Sequence, residues 1–418
     1  MTFVGFQDYL RTRYFRNLGP RFIISAWSKL VGLIITIYLA RFLGPAQLGY
    51  FSFVASVAGV LATVFSFGLP GYIQRHVAFW DEQQDNAGSL VSAILSTSSR
   101  VVALSIIFSV ALGIFANVFL GREAAILLFT LAGLYSATMI LGLIFESILI
   151  ALHRLERAVI PAVVRDVLRL ILVLALVYFV RDFVPVVLAY TFVFGFYALL
   201  LYRVVRKHAQ PSEKYGLNVL IEALPFLFFG IAHMLLAQTD VIMLSALRPM
   251  EAVGYYKVAQ LAVTSIISVL PIVAVSLPTL SRATARGQLK RTFFLLLALS
   301  SAVSVAAIAV FYFVGPPLIL FFFGDEYMQS IPIFYVLLFL IPTYFVYALS
   351  IQGLIAIGRE REQVVYPLVA GILNVVLNYL FILQWGAVGA AMATVTSIGI
   401  AGFVVAVRFV LLAHREHL

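Results

Sequence analysis

Residues 222–247 read EALPFLFFGIAHMLLAQTDVIMLSAL, and the fold class turns on how that stretch is understood. It is apolar enough and long enough to cross a bilayer as one helix, for which about 20 apolar residues suffice. Yet it contains Glu222, His233 and Asp240. Their spacings of eleven and seven residues are close to three and two helical turns, so all three fall on one face. A charged group near the middle of a membrane helix costs roughly 2.5–3.5 kcal/mol on insertion scales. Three on one stripe predict a face turned toward water or polar partners instead of lipid. Pro225 and Gly230 add an expected kink that opens the helix toward a cavity.

The same apolarity recurs outward in both directions. Of 418 residues, 63% are hydrophobic and 11% charged, which excludes a soluble globular protein. The chain has no cysteine, hence no disulfide framework and no thiol-ligated metal site, and no metal is expected. Its formal charge of +10 is the mark of basic cytoplasmic loops, with no nucleic-acid partner implied. Residues 1–21 are polar and basic, and the first apolar run is long enough to be retained as a helix instead of cleaved.

Twelve spans are expected, at 22–42, 49–72, 89–118, 124–150, 160–180, 184–204, 219–247, 254–280, 292–314, 331–352, 364–384 and 387–411. The loops after even-numbered spans hold Arg75; Arg154 and Arg157; Arg203, Arg206, Lys207 and Lys214; Arg282, Arg286, Lys290 and Arg291; Arg359 and Arg361. Arg11, Arg13 and Arg16 precede the first span. The opposite loops offer Arg41, Arg122, Arg181 and Arg248, each alone. The positive-inside rule therefore places both termini in the cytoplasm. Residues 75–86 read as an interfacial turn or amphipathic extension into the third span.

The chain also repeats itself. An offset of 205 sets Leu48-Gly49-Tyr50-Phe51 on Val253-Gly254-Tyr255-Tyr256, and Ala151-Leu152-His153-Arg154 on Ala356-Ile357-Gly358-Arg359. An offset of 203 sets Leu120-Gly121-Arg122-Glu123 on Phe323-Gly324-Asp325-Glu326. The expected fold is an all-α polytopic membrane protein with two pseudo-symmetric six-helix lobes, residues 1–205 and 217–418. The polar segment 206–216 would link them on the cytoplasmic side. An even number of spans per lobe implies a pseudo-axis along the membrane normal and a cleft between the lobes.

No phosphate loop, zinc spacing or nucleophile elbow is present, so transport is a better frame than catalysis. Lys29 shares a stripe with Ser25, Gly32 and Thr36 and lies roughly 18 Å along the helix from Arg41, too deep for snorkelling alone. It is expected in a cavity that binds an anionic headgroup, or else in an internal ion pair. Arg165 and Arg169, four apart with Asp166 beside them, are expected there too, against the alternative of interfacial anchoring. Arg100 is either a cavity residue or a marker of the interface. Glu146 is expected to bridge to Arg154 or Arg165, and Asp240 to pair with Lys257 across a hairpin. Asn374 and Asn378, also four apart, are expected to join helices. If the cycle is ion-coupled, Glu222, His233 and Asp240 are the expected titrating groups for H+ or Na+.

The run Arg41-Phe42-Leu43-Gly44-Pro45 followed by Leu48-Gly49-Tyr50-Phe51 resembles the first hairpin of polysaccharide flippases, in the multidrug/oligosaccharidyl-lipid/polysaccharide exporter superfamily. So do Asp240 with Val253-Gly254-Tyr255-Tyr256, the run Phe322-Phe323-Gly324-Asp325-Glu326-Tyr327, and Asn374, Asn378 and Gly386-Ala387-Val388-Gly389-Ala390-Ala391. The resemblance implies twelve helices in two lobes in the bacterial cytoplasmic membrane. It also implies movement of an undecaprenyl-diphosphate-linked oligosaccharide to the outer leaflet, with membrane lipids, a polysaccharide polymerase and glycosyltransferases as expected partners. It assigns no site residue. Two alternatives remain at this point: a multidrug or small-molecule antiporter of the same architecture, and a membrane glycan polymerase or ligase.

Overall fold

The computed structural model describes residues 3–82, 87–121, 123–210, 218–270, 272–359 and 361–415. The side chains of Arg11, Arg13 and Arg16, together with Arg122, Lys214 and most of the expected linker, lie outside the described residues. Among the described residues every regular element is helical. Nine helices among the described residues are long and apolar enough to cross a membrane. Large apolar side chains such as Ile160, Phe179, Val269 and Phe313 are left uncovered by protein, as lipid-facing positions must be. This is a multi-pass membrane protein.

The first two expected spans form one long element, α1 (Phe3–Phe65), bent where Gly44 takes φ 77°, ψ 175°. That conformation is one an L side chain resists, and Pro45 follows it immediately. The final two form α13 (Glu362–Arg415), bent at Gly386 with φ 58°, ψ −132°. Between them run α2 (Leu69–Glu82), α3 (Ala87–Leu120), α4 (Ala125–Ala151), α5 (Glu156–Val180), α6 (Phe183–Val205), α7 (Asn218–Leu247), α8 (Met250–Val269), α9 (Ile272–Ala285), α10 (Leu289–Phe323), α11 (Ser330–Leu338) and α12 (Leu340–Ala356). Asp182 caps α6 by accepting a hydrogen bond from the Val184 amide at 2.7 Å.

Two spans are shorter than their hydropathy predicts. The second ends at Phe65, because Phe67 and Gly68 turn into positive φ and Leu69-Pro70 opens α2. Most of the expected interfacial segment is thus helical, as the distal part of α2. The eighth ends at Val269, where Leu270 turns extended and the sequence carries Pro271 ahead of α9. The break recurs at nearly the same place in both repeats.

Two compact units divide the chain: Met1–Phe42 with Val54–Gly230, and Leu43–Phe53 with Ile231–Leu418. In the first, α4 packs on α2, α3 and α6, and α6 on α5. Its core joins Tyr72 and Ile73 of α2, Ile144 and Ile148 of α4, and Tyr197 of α6, and takes in Val219 and Ala223 from the start of α7. Small polar residues let α3 and α4 approach closely, with Ser105 and Ser136 hydroxyls 2.7 Å apart. In the second unit α12 packs on α9, α10 and α13, and α8 on α11. Arg248 donates to the carbonyls of Ile382 and Leu383, each at 2.8 Å, tying the α7–α8 corner to the segment before the bend of α13.

Candidate functional site

Among the described residues, each unit holds a buried carboxylate at the centre of a polar network. In the first, α1 passes beside α5 so that Ser28 reaches Asp166. The Ser28 hydroxyl donates to the Asp166 carboxylate at 2.5 Å and accepts from the Arg165 guanidinium at 2.6 Å. Arg165 also donates to both Asp166 oxygens, at 3.0 and 3.1 Å. Arg169, one turn further along α5, reaches the same carboxylate at 3.2 Å. Asp166 is fully buried, and both arginines are 8% exposed. An uncompensated carboxylate would not tolerate that position, and two guanidinium groups share the compensation.

Aromatic faces line the other side. The Arg165 guanidinium lies 4.6 Å from the Tyr197 ring centroid and 5.3 Å from that of Phe194, and Arg169 lies 5.5 Å from that of Tyr190. All three rings belong to α6. Such contacts favour a desolvated cation and hold the fork in one orientation.

In front of this network is a cavity of about 430 Å³. Ile24, Ser25, Ser28 and Lys29 of α1, Glu146 of α4 and Arg165 of α5 line it. Lys29 and Arg165 therefore meet at one opening. The Lys29 ammonium makes no hydrogen bond or ion pair among the described residues, whereas Arg165 is held by Asp166 and Ser28. Arg169 departs from expectation. It does not line the cavity, because it is committed to Asp166 and packed under Tyr190; its Nε is buried without a partner.

Arg100 is exposed on α3 and is not brought into the cavity. Glu146 lines the cavity but forms neither expected salt bridge: it accepts from the Tyr197 hydroxyl at 3.3 Å, and Arg154 meets His208 instead.

The stripe on α7 does not act as one group. Glu222 accepts from the buried Tyr72 hydroxyl at 2.6 Å, within the first unit. His233 is exposed, and Asp240 is 1% exposed within the second unit. Shared helical phase does not give them shared surroundings, because the neighbours of α7 change along its length.

Asp240 is the centre of the second constellation. Its carboxylate accepts from Tyr256 of α8 at 2.5 Å, and from Thr394 at 2.7 Å and Asn378 at 2.8 Å, both on α13. All three donors are uncharged. Asn378 also donates to the Asn374 side chain at 3.0 Å, and Asn374 to Ser397 at 3.2 Å. The asparagines do join helices as expected, and they surround a carboxylate while doing so. The Asn378 Oδ1 atom is buried without a partner. The expected Asp240–Lys257 pair is absent: Lys257 donates to Gln260 at 3.0 Å, while its neighbour Tyr256 faces α7.

Asp166 appeared in the sequence only as a companion of the arginines, and Ser28, Tyr197, Tyr256, Thr394 and Ser397 not at all as site residues. Tyr256 and Thr394 had a signal, since each lies within or beside a stretch that carries the resemblance. Ser28, one of many serines on apolar helices, had none.

The profile of the family described as "Polysaccharide biosynthesis protein" matches residues 16–284. A search of curated proteins returned no match. Among solved structures, the chain resembles an inward-facing multidrug resistance MATE family transporter of the MOP superfamily, with TM-score 0.73 and 16% identity over 93% of this chain and 95% of that one. It resembles the lipid II flippase MurJ in an inward closed conformation with TM-score 0.71 and 18% identity, over 93% and 86% of the two chains. A MOP superfamily transporter from Pyrococcus furiosus, whose binding pocket is described as reversed in polarity, matches with TM-score 0.56 and 16% identity over 96% and 95%. These similarities establish the MOP-type helical fold.

Proposed function

Since the chain belongs to the polysaccharide biosynthesis protein family, we propose that it is a flippase for a polyprenyl-diphosphate-linked oligosaccharide, working from the inner to the outer leaflet of a bacterial cytoplasmic membrane. The observation that carries this reading is the meeting of Lys29 and Arg165 at a polar cavity. A diphosphate cannot enter hydrocarbon with its charge uncompensated. Lys29 supplies a mobile point charge for it, and Arg165 a fork fixed from behind by Asp166 and Tyr197. Ser25, Ser28 and Glu146 offer hydrogen bonds to the adjoining sugar. The prenyl tail stays in lipid, where each buried methylene contributes about 0.8 kcal/mol.

Twelve crossings with both termini cytoplasmic, and alternating access between two repeats, belong to the same proposal. A cationic drug would favour an acidic cavity, so the lining disfavours a multidrug antiporter. Of the three groups expected to couple an ion, Asp240 is the one the geometry favours, because its partners are neutral and adjustable. H+ or Na+ would bind there and bias the conformational equilibrium. Transport without covalent chemistry is the reading throughout, with a polymerase and glycosyltransferases as partners that use and supply the cargo.

The test is reconstitution in liposomes with a fluorescent undecaprenyl-diphosphate oligosaccharide in the inner leaflet. Protein-dependent appearance of the sugar to an external lectin supports the proposal. No appearance with any bacterial lipid-linked glycan, alongside efflux of cationic dyes, refutes it.

A further inference from the structure

The second unit carries another cavity, of about 640 Å³, whose lining includes none of the side chains bonded to Asp240. It lies where three corners of the unit meet. Pro249 and Glu251 come from the start of α8, Gln329 and Pro332 from the start of α11, and Trp385 and Val388 from either side of the bend in α13. The basic residues of this unit lie elsewhere: Arg282 at the end of α9, Arg286 between α9 and α10, Lys290 at the start of α10, and Arg359 between α12 and α13, each separated from the cavity by the length of α8–α9, of α11–α12 or of the first part of α13. By the positive-inside rule the cavity therefore faces away from the cytoplasm.

The lining is unlike a lipid-facing surface. Trp385 is 50% exposed, and Tyr255 lies on the opposite helix of the same cavity. Both rings are propped in place. Phe381 meets Trp385 edge-on at 5.3 Å, and Tyr327 meets Tyr255 edge-on at 6.1 Å. Proline at two wall positions restricts the backbone. The same lining holds an exposed carboxylate, Glu251, and an exposed amide, Gln329. Flat apolar faces beside a carboxylate and an amide match the two surfaces of a sugar ring: one face of axial C–H groups, and an edge of hydroxyls that both donate and accept. A tryptophan that merely anchors the chain at the interface needs only lipid headgroups around it, without a concave wall or a paired acid and amide. The volume falls within the roughly 300–1,000 Å³ of sites that enclose small ligands.

We propose that this cavity is an extracytoplasmic glycan-binding subsite that holds one or a few neutral sugar units as the headgroup leaves the transporter. Trp385 supplies the stacking face, and Glu251 and Gln329 read the hydroxyls. The inference rests on the glycan cargo and the orientation proposed above, and goes beyond both by giving the outward side its own recognition site.

The chain has three tryptophans and no cysteine, which makes the test direct. In Trp27→Phe/Trp80→Phe protein in lipid vesicles, Trp385 is the sole indole. Titration with glucose, galactose, N-acetylglucosamine and lactose should give a saturable emission change for at least one sugar, with a midpoint on the order of 1 mM, and none for glycerol. Glu251→Gln should weaken that midpoint about tenfold, as expected for a hydrogen bond to a charged group. Responses to every sugar that are linear or match glycerol overturn the subsite. In cells, Gln329→Cys should react with a membrane-impermeant maleimide from outside; reaction only after permeabilisation overturns the outward placement. Flipping of lipid-linked glycan without a saturable sugar response sinks this inference alone. A saturable response with no flipping sinks the transport reading and leaves the subsite standing.

Discussion

Gly49 and Gly254 occupy equivalent places in two reciprocal contacts. A Cβ built on Gly49 would fall 1.9 Å from the Met250 carbonyl oxygen, and one on Gly254 would fall 2.1 Å from that of Pro45. Pro45 and Met250 are separated by the same 205 residues as the two glycines, so each contact is the repeat-image of the other. Both lie within the second unit, which includes residues 43–53 of α1. The obstacle is backbone, which a rotamer change cannot relieve. Gly49→Ala and Gly254→Ala should each lower stability by about 1–3 kcal/mol, as overpacking does. Thermal unfolding in nanodiscs reads the effect. Unchanged midpoints for either variant would contradict the contact.

Asp166 holds two guanidinium groups, whereas each arginine has other partners as well. Asp166→Asn should therefore be the costliest change in its cluster, about 3–5 kcal/mol, because two buried cations lose their counter-charge. Arg169→Met should cost less, since Arg165 and Ser28 still reach the carboxylate. Denaturation of the two variants in parallel settles the order, and a more damaging Arg169→Met would reverse it.

Lys29 is the cavity cation with no bond among the described residues, so its removal should spare the fold and remove function. Lys29→Ala should insert normally and lose glycan flipping at least tenfold, while Lys29→Arg should retain part of it. Lectin accessibility in reconstituted vesicles is the measurement, with unfolding temperature as the control. Wild-type flipping by Lys29→Ala would remove this side chain from the mechanism.

Asp240 should govern any ion dependence. Asp240→Asn keeps the shape of the side chain but not its charge, and should abolish stimulation of flipping by a Na+ or proton gradient. Tyr256→Phe removes one donor to the carboxylate and should cost about 1.5–3 kcal/mol of stability. Gradient-stimulated flipping that survives in Asp240→Asn would move the coupling elsewhere.

Helix placement was largely legible because transfer from water to lipid is a property of each segment by itself. The hydropathy of residues 89–118 and 124–150 placed α3 and α4 within a few residues. It failed at residues 66–72 and 270–280, where local backbone chemistry at Gly68-Leu69-Pro70 and Pro271 outweighs an apolar composition that would carry a longer helix. The bend at Gly44 was visible as a Gly-Pro pair between two apolar runs; the bend at Gly386 has no proline beside it.

By itself the sequence determined the class of molecule, helices in a membrane, and marked the charged side chains that interrupt its apolar runs. Tertiary structure alone decided which charges meet. Ser28 reaches Asp166 across 138 positions, and Thr394 reaches Asp240 across 154. Helical periodicity fixes the face on which a residue stands, but not the neighbour that the face is turned toward. That choice depends on how several helices rotate and pack against one another, and so Lys29 faces the cavity while Arg169 lies behind it.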